Sequence, residues 1–358
     1  MNSKIKTVAV AFASLLLLAS CNPTDSENNS ETTKTVVNVY MPSPAGLQTK
    51  IEKGFEKAYP NIDMNVTSGT TGELLAKIEA EKNNPICDVL ILASWSDGLN
   101  SLNSLELEAY EPVNSDKLDS RFKEDSKKIW GTSASSVGVL YNTDNVKKEE
   151  IEKLDWSDFG NADKLTAITS SGEKAKVIIP DPTKSGAAKD FFAGLLTSTN
   201  KNANFTDSND AVYDLIRSYK NAGVTNGGGN KPALASVEDG QKDVLIAGVD
   251  YNAYADSAKG KHVGIYFPKG GTVVNARPAM IMKSSKNKDS AKKVMDYLVS
   301  EEAQKFVADA YLLPGRTDVP ANSARVSLKD SKEISELDWN LMSTKGSEIA
   351  TSIVNLLK

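Results

Sequence analysis

Histidine and cysteine are nearly absent from this chain of 358 residues. It contains a single histidine, His262, and two cysteines, Cys21 and Cys87. Metal sites built from several histidines are therefore excluded, as are cysteine-rich zinc and iron–sulfur frameworks, and a triad that uses histidine as a base is disfavoured. The chain also lacks an excess of basic residues, since 42 lysines and arginines stand against 47 acids, which argues against a nucleic-acid-binding protein.

Recognisable catalytic motifs are missing as well. The sequence contains no GxSxG, HExxH, GxxxxGK[ST] or GxGxxG motif. Several Ser-x-x-Lys matches occur, such as those at 120–123 and 290–293, but no Lys-Thr-Gly partner accompanies them. We therefore expect a protein that is not an enzyme and needs no cofactor. Its length and its 40% hydrophobic residues suffice for one large or two ordinary domains.

Residues 1–20 are typical of an export signal. Two lysines precede the apolar run Val8–Leu18, which is too short for a stable membrane span. The run ends in Leu-Ala-Ser-Cys, which resembles a bacterial lipobox, so we expect Cys21 to carry lipid, including palmitate. An ordinary signal peptide with an incidental cysteine is the alternative. Residues 21–34 are rich in polar residues and predict a flexible tether. Cys87 lies in an apolar run and is expected to be buried.

The body of the chain alternates strand-like and helix-like segments, which predicts an α/β fold containing a parallel sheet. The predicted elements of the first region are, in order, strand Thr35–Met41, helix Leu47–Tyr59, strand Ile62–Thr67, helix Glu73–Lys82 and strand Cys87–Leu92. Further along, the predicted strands are Val137–Tyr141, Lys176–Pro180, Val244–Val249, Val263–Phe267 and Pro278–Met282. The predicted helices between them are Ala187–Leu196, Ala211–Ala222 and Ala233–Asp239, and the chain from Ser290 onward is mostly helical.

This order of elements indicates two α/β lobes with a ligand cleft between them. Residues 35–135 and 273–318 are expected to form the first, discontinuous lobe. Residues 136–272 are expected to form the second lobe. The C-terminal residues 319–358 are expected to be helices that pack on both lobes.

Three strand-to-helix turns carry hydroxyl groups and glycine, and these turns are candidate binding sites. The segment Thr183–Ala188 closes a strand and opens a helix, and Gly69–Glu73 and Ser43–Gly46 have the same character. The first N–H groups of a helix lack intrahelical partners, and the helix dipole adds partial positive charge there. Such turns bind phosphate or carboxylate, although a serine that caps its own helix is the alternative. Three of them favour a cleft for an anion or a polyol.

Two further segments follow predicted strands and suit a hydroxylated ligand. Asp250-Tyr251-Asn252 comes directly after Val244–Val249, and Trp95 follows the strand that ends at Leu92. A polar triplet and an indole ring could bind a sugar-like solute, although Trp95 could equally pack between the lobes. His262 is expected to lie on the surface.

The chain resembles the solute-binding lipoproteins of ABC importers, and among them the ferric-binding-protein-like family, whose members bind iron or phosphate-bearing solutes. Besides the lipobox, the tether and the lobes, the resemblance rests on Tyr40-Met41, Gly72-Glu73-Leu74, Pro85–Val89, Thr183–Ala187, Asn230–Gly240 and Ser300–Gln304. It implies a type II periplasmic-binding-protein fold. It also implies a monomer that closes its lobes on a solute and delivers it to an ABC permease and its ATPase. The protein would be exported and lipid-anchored to the membrane, facing the periplasm or the exterior.

The resemblance implies an anion site. Ser185, Gly186 and Ala187 match the family's phosphate-binding turn, and Asn230 matches an amide donor. The family's second asparagine falls on Gly248, which is expected to open room, and a glutamine position falls on Ser94.

The family's iron site is mostly missing. Its histidine position falls on Pro44 and its glutamate position near Ala93. Of its adjacent tyrosine pair, the first falls on Asp250 and the second is Tyr251.

We therefore expect a receptor for an oxyanion-bearing solute, such as a hexose phosphate. The Asp250 carboxylate would accept hydrogen bonds from the sugar hydroxyls. The expected ligand-binding residues are Ser43, Thr71, Ser94, Trp95, Ser185, Gly186, Ala187, Asn230, Asp250, Tyr251 and Arg277. Arg277 could hold the phosphate or form a salt bridge between the lobes. One alternative is Fe³⁺ with a synergistic anion, bound by Tyr251 and Asp250 with Tyr40, Tyr141 or Tyr254. A second alternative is an extracytoplasmic phosphoester hydrolase.

Overall fold

The structure, a computed structural model, describes residues 34–358. The predicted signal peptide, the lipidation of Cys21 and the tether up to residue 33 therefore lie outside the described residues. No helix of the described part is long and apolar enough to cross a membrane.

The described residues form a mixed α/β fold, as the sequence predicts. Its strands are β1 (Thr35–Met41), β2 (Ile62–Ser68), β3 (Val89–Ile91), β4 (Leu107–Glu108), β5 (Trp130–Asn142), β6 (Val177–Ile179), β7 (Thr225–Asn226), β8 (Val244–Val249), β9 (Val263–Tyr266), β10 (Val274–Met282) and β11 (Leu313–Pro314). Its helices are α1 (Ala45–Ala58), α2 (Thr71–Ala80), α3 (Trp95–Ser104), α4 (Lys148–Ile151), α5 (Ala162–Ala167), α6 (Gly186–Thr199), α7 (Asp214–Ala222), α8 (Asn230–Glu238), α9 (Asp250–Ser257), α10 (Lys288–Leu298), α11 (Glu301–Asp309) and α12 (Trp339–Leu357).

The N-terminal half of the sheet has the predicted βαβαβ order. Strand β1 pairs in parallel with β2 along its whole length and with β3 on its other side. Alternate residues of β1 point to opposite faces, so Val37 and Val39 pack with Phe55 of α1, whereas Tyr40 packs with Leu74 of α2. Because helices cover both faces, the strands are buried and read as apolar runs.

The second half of the sheet has its own core. Strand β8 pairs in parallel with β6, which pairs with β7, and antiparallel with β5. One face is covered by α6 and α7, whose aromatic residues include Phe191, Phe192 and Tyr219. The other face is covered by α8 through Leu234 and Val237.

Strand β5 joins the two halves of the sheet. Its residues 130–136 pair with β10 and β11, and the following residues, from Val137 on, pair with β8 and β9. All thirteen residues of β5 are buried. The sequence predicted only Val137–Tyr141 as a strand, because the polar run Thr132–Ser136 does not look like a buried strand. Strand β10 likewise begins at Val274, four residues before the predicted start.

The C-terminal region departs from the expectation of continuous helices. After β11 the chain is irregular until Asp338, and only α12 follows. Pro320 and the many Ser, Asp and Asn residues of 319–338 disfavour a helix. Helix α12 packs against α6 and α7 of one half and against α3 of the other.

Other differences are local. Helix α3 and helix α9, which begins at Asp250, were not predicted, and Ala211–Tyr213 forms a 3-10 turn that precedes α7. Cys87 is buried but precedes β3.

Candidate functional site

A cleft of about 900 Å³ lies between the two halves of the sheet. The first residues of five helices line it: α1, α2, α6, α8 and α9. Each of these helices follows a strand or a short turn, so its unpaired N–H groups and the positive end of its dipole are directed at the cleft. Within the described residues, the caps of α1 and α8 make no side-chain hydrogen bond, which leaves their first N–H groups open to a ligand. In α9 the N–H of Tyr251 is already bonded to the Asp250 carboxylate.

The N-terminus of α6 and the side chain of Asn230 form one hydrogen-bonded corner of the cleft. Ser185 caps α6, because its Oγ accepts the Ala188 N–H at 3.2 Å, and it also accepts the Asn230 Nδ2. The Asn230 Oδ1 in turn accepts the Val249 N–H at 3.0 Å. Since the Ser185 oxygen accepts two hydrogen bonds, its own proton is left to donate. The corner therefore presents a hydroxyl donor beside the N–H groups of Gly186 and Ala187.

Thr71 supplies a second hydroxyl donor from the opposite half. Its Oγ1 accepts the Ala93 N–H at 3.0 Å, which again leaves the hydroxyl proton free to donate. Thr70 caps α2 in a reciprocal arrangement with Glu73, so Thr71 is not needed for capping.

Arg277 lies in the wall of the cleft on β10, where the pairing with β5 shifts register between Ala276 and Pro278. Its side chain is among the most buried in the protein, with 1% of the residue exposed. Its Nη2 donates to the Pro42 carbonyl at 2.6 Å, and its guanidinium carbon lies 6.0 Å from the centre of the Tyr251 ring. Burial lowers the pKa of Arg277, and the neighbouring Tyr251 and Asp250 oppose this shift.

The charge of Arg277 is uncompensated. Among the described residues it forms no ion pair, and its Nε has no hydrogen-bond partner. The predicted alternative of a salt bridge between the lobes is therefore wrong for the residues described. An unpaired buried cation is costly, so the side chain indicates an anion that arrives from outside the protein.

The other charged residues of the cleft also give it an excess of positive charge. The acids that line it are paired: Glu238 with Lys261 at 2.6 Å, Asp256 with Lys259 at 3.0 Å and Asp309 with Lys50 at 2.9 Å. Lys184 and Lys231 line the same corner as Ser185 and Asn230, and neither forms an ion pair with another described residue. These two lysines were not predicted as ligand-binding residues, although each lies next to a predicted anion-binding residue in the sequence.

Asp250 does not line the cleft, contrary to its predicted role of accepting sugar hydroxyls. The residue is completely buried and forms an ion pair with Arg325, whose Nη2 lies 2.6 Å from the Asp250 Oδ2. The same carboxylate accepts the Ser136 N–H at 3.0 Å and the Tyr251 N–H at 2.7 Å. Burial raises the pKa of Asp250, and Arg325 opposes this shift. Asn252, from the same triplet, does line the cleft.

Ser94 and Trp95 also do not line the cleft. Ser94 caps α3 by accepting the Asp97 N–H at 3.0 Å and donates to Asp190 at 3.0 Å. Trp95, the first residue of α3, lines a separate cavity of about 190 Å³ together with Trp339. Both differences arise because α3, which the sequence did not predict, begins at this point.

Gly248 does not open room in the cleft as expected. A Cβ atom there would lie 2.8 Å from a methyl carbon of Leu140 and 2.9 Å from one of Leu245, so this glycine is packed in the core. His262 lies on the surface, as expected, with its Nδ1 2.7 Å from Asp144.

Most of the predicted ligand-binding residues are brought together. The predicted residues that line the cleft are Ser43, Thr71, Ser185, Gly186, Ala187, Asn230, Tyr251 and Arg277.

The tyrosines proposed for iron are mostly engaged elsewhere. The hydroxyl of Tyr40 donates to Glu81, that of Tyr141 to Glu152, and that of Tyr254 accepts the Val326 N–H. None of these three lines the cleft, whereas Tyr251 and Tyr311 do. Pro44 and Ala93, at the family's histidine and glutamate positions, line the cleft without a ligating side chain. In the described part of the chain, no three His, Cys, Asp or Glu side chains form a metal-binding group.

The two halves of the protein touch at the edge of the cleft. A Cβ atom on Gly186 would lie 2.8 Å from the Cβ of Ser94 and 3.1 Å from the Oγ1 of Thr71. Behind this contact, Lys189 of α6 forms an ion pair with Asp97 of α3. This close approach brings the hydroxyl of Thr71 next to the α6 N-terminus.

Comparison with solved structures supports the expected fold. One similar structure is the periplasmic binding protein AfuA from Actinobacillus pleuropneumoniae with exogenous fructose-6-phosphate bound; it is 23% identical, covers 90% of this chain and 97% of its own, and has a TM-score of 0.74. Another is iron-bound HitA from Pseudomonas aeruginosa, with 18% identity, coverage of 89% and 99% and a TM-score of 0.73. The type II periplasmic-binding-protein fold is thereby confirmed.

Sequence comparison gives the family. "Iron uptake protein A1" of Synechocystis sp. is 24% identical over 333 residues, which cover 88% of this chain and 86% of that protein. The model of the bacterial extracellular solute-binding protein family matches residues 38–305. The resemblance to solute-binding proteins is thus confirmed, and the chain belongs to the bacterial extracellular solute-binding protein family.

Proposed function

We propose that this protein is a non-enzymatic receptor of an ABC importer that captures a phosphorylated small solute, such as a hexose phosphate. The observation that carries the proposal is Arg277, a buried guanidinium in the cleft wall that pairs with no carboxylate among the described residues. A phosphate would supply the missing negative charge and can accept two parallel hydrogen bonds from the guanidinium.

The surrounding groups suit the same phosphate. The N–H groups at the start of α6 and the hydroxyls of Ser185 and Thr71 are donors, and the nearby Lys184 and Lys231 add positive charge. This local field is opposite in sign to the protein as a whole, whose formal net charge is −5. Affinity for an anion therefore arises from helix N-termini and three cations and not from overall attraction.

The volume of the cleft favours a solute larger than a bare anion. Its 900 Å³ is at the upper end of the roughly 300–1,000 Å³ typical of small-molecule sites. Away from the anion corner, the cleft is lined by Asn252, Tyr251 and Tyr311, which can contact the body of a sugar or another polar ring.

Ferric iron with a synergistic anion is the second candidate. Two tyrosines, Tyr251 and Tyr311, line the cleft, and a phenolate oxygen is a hard ligand that Fe³⁺ accepts. Two relatives carry the name of an iron-uptake protein and two similar structures hold iron. In this chain, however, the positions of the other iron ligands are Pro44, Ala93 and the ion-paired Asp250, so the ligand set is thin.

The cellular setting is part of the proposal. We expect export, cleavage before Cys21 and lipidation of that residue, which would leave a monomeric body on a tether outside the membrane. The solute would close the two lobes around it, and the closed form would dock on a permease with its ATPase. Replacement of Cys21 by serine should release the body from the membrane fraction, and an unchanged membrane fraction would contradict the anchor.

A ligand panel with the Arg277→Met variant tests the proposed ligand class. Fructose 6-phosphate, glucose 6-phosphate, inorganic phosphate and ferric citrate are compared by their effect on the melting temperature. A bound ligand at a hundredfold excess over Kd should stabilise the wild type by about 2.7 kcal/mol. Arg277→Met should lose the response to phosphate esters and should itself be no less stable, because it removes an unpaired buried charge. Arg316→Met is the matched control, since Arg316 is also buried but pairs with Asp318 outside the cleft.

Three results would contradict the proposal. A response to ferric citrate alone, with a visible tyrosinate-to-iron band, would favour the iron receptor. A full response of Arg277→Met to phosphate esters would show that Arg277 does not hold the anion. Accumulation of free phosphate from a sugar phosphate would reveal the hydrolase.

A further inference from the structure

Arg325 lies outside the cleft and pairs with Asp250, the residue that precedes Tyr251 in the cleft wall. Arg325 belongs to the irregular segment 319–338, and its side chain is 1% exposed. Its Nη2 forms the 2.6 Å ion pair with Asp250, and its Nη1 donates to the carbonyl of Tyr311. Its guanidinium also lies over the ring of Tyr254, 5.7 Å from the ring centre. Arg325 itself does not line the cleft.

Asp250 and Arg277 both contact the same residue, Tyr251. Asp250 accepts the N–H of Tyr251, and the ring of Tyr251 lies 6.0 Å from the guanidinium carbon of Arg277. The two charges act on each other, since Asp250 is one of the groups that raise the pKa of Arg277. Three buried charges thus form a row of linked contacts: Arg325 pairs with Asp250, and Tyr251 connects Asp250 with Arg277.

The row carries a net positive charge only because Arg325 is present. With Arg325, the carboxylate of Asp250 has its own counter-ion, and Arg277 remains unpaired. Without Arg325, Asp250 would be a buried carboxylate without its counter-ion, and Arg277 is a buried cation on which it already acts. Charges in a desolvated site interact more strongly than in water, so Asp250 would then compete with the solute for Arg277.

We infer that Arg325 is a positioning residue for solute binding, which holds Asp250 as its own partner and so leaves the charge of Arg277 for an anionic solute. The inference rests on the proposed function, because it assumes that the solute is an anion held by Arg277. It assigns to Asp250 the role of a buried counter-ion and removes it from the residues that touch the solute.

Arg325 could also affect the cleft through Tyr311, and this effect has to be distinguished from the effect through Asp250. Arg325 also binds the carbonyl of Tyr311, whose φ of 59° is unusual for a residue other than glycine, and Tyr311 lines the cleft. Loss of Arg325 could therefore weaken binding by displacing Tyr311. Removal of the Asp250 charge in the same molecule separates the two effects. It leaves Arg277 without a competing carboxylate but does not restore the contact between Arg325 and Tyr311.

The test is a double-mutant cycle on the purified protein with Arg325→Gln, Asp250→Asn and the double variant. Affinities for fructose 6-phosphate and for inorganic phosphate are measured by calorimetry, and folding is checked by circular dichroism and melting temperature. Arg325→Gln should weaken the binding of both ligands about tenfold or more. The dissociation constants of the double variant should return to within about threefold of the wild-type values. This is less than the tenfold change that corresponds to 1.4 kcal/mol of binding free energy. Arg325→Lys, which keeps the charge, should stay near the wild type, and Arg316→Gln is the control.

Each remaining result overturns the inference in a recognisable way. Unchanged affinity in Arg325→Gln shows that Arg325 does not matter for binding. A double variant as weak as Arg325→Gln shows that the effect runs through Tyr311 or through general loosening. If Arg325→Gln does not fold, Asp250→Asn decides alone: it should bind fructose 6-phosphate at least as well as the wild type, and a loss confined to that ligand would show that Asp250 touches the sugar. A wild type that binds neither ligand overturns the proposed function itself, and the inference with it.

Discussion

Replacement of Gly186 by alanine tests whether the close contact between the two halves of the protein supports binding. Gly186 is the first residue of α6 and faces Ser94 and Thr71 from the other half. A Cβ atom at this position would lie 2.8 Å from the Ser94 Cβ and 3.1 Å from the Thr71 Oγ1, whereas ordinary contacts are 3.4–4 Å. The two surfaces would have to separate by at least about 0.6 Å at this point.

The cost of that separation can be bounded. Inserting a carbon atom into a well-packed contact costs typically about 1–3 kcal/mol. If this cost falls on the arrangement that binds the solute, the dissociation constant for fructose 6-phosphate should rise by roughly 5- to 150-fold. Each half has its own core and does not depend on this contact, so the melting temperature of the ligand-free protein should change little.

The assay is calorimetric titration of Gly186→Ala with fructose 6-phosphate, next to Gly346→Ala as control. Gly346 is also in a helix, but a Cβ atom there would meet only the side chain of Lys189, at an ordinary 3.5 Å. The control should bind like the wild type and be slightly more stable, since alanine is the better helix former by about 1 kcal/mol. Wild-type affinity in Gly186→Ala would refute the reasoning, and an equal loss in the control would show that the effect is not local.

Two further predictions concern buried titratable groups. Burial raises the pKa of Asp190 to about 6, with Asp97 adding to the shift and Lys189 opposing it. The folded state therefore favours the protonated acid, so the stability this group contributes is complete below its usual pKa of 3.8 and is lost as the pH rises through about 6. Asp190→Asn, which cannot ionise, should gain stability relative to the wild type between pH 4 and pH 7, by up to about 3 kcal/mol in denaturant unfolding; a constant difference would contradict this. Burial also raises the pKa of the Cys87 thiol, so in a Cys21→Ser protein a thiol reagent at pH 8 should react only after unfolding. Reaction of the native protein at the rate of a free thiol would contradict the burial of Cys87.

The first region of the fold could be predicted because its signals are local. The spacing of Leu47, Ile51 and Phe55 gives α1 an apolar face, and Pro60 follows its end; both features are set by neighbours in the sequence. The prediction failed for β5, whose residues Thr132–Ser136 are polar yet buried. Their burial depends on β10 and β11, which lie more than a hundred residues further along the chain.

The same division applies to the site. Ser185 could be predicted as the cap of α6 because the turn, the cap and the helix that follows are contiguous in the sequence. Ser94 also caps a helix, α3, but its hydroxyl donates to Asp190, 96 residues away, and so is directed away from the cleft. A sequence motif shows that a hydroxyl is present, but the direction in which it donates is set by its partner.

The sequence by itself determined the α/β fold and three of the five helix N-termini that line the cleft. These properties arise from hydrogen bonds and apolar faces within about ten residues, which a sequence displays directly. Only the tertiary structure decided which charged groups remain available. Asp250 is paired with Arg325, 75 residues away, and Arg277 is left without a carboxylate among the described residues. The reason is physical: a buried charge is stabilised by whichever partner the packed chain brings within hydrogen-bonding distance, and that partner is not encoded by proximity in the sequence.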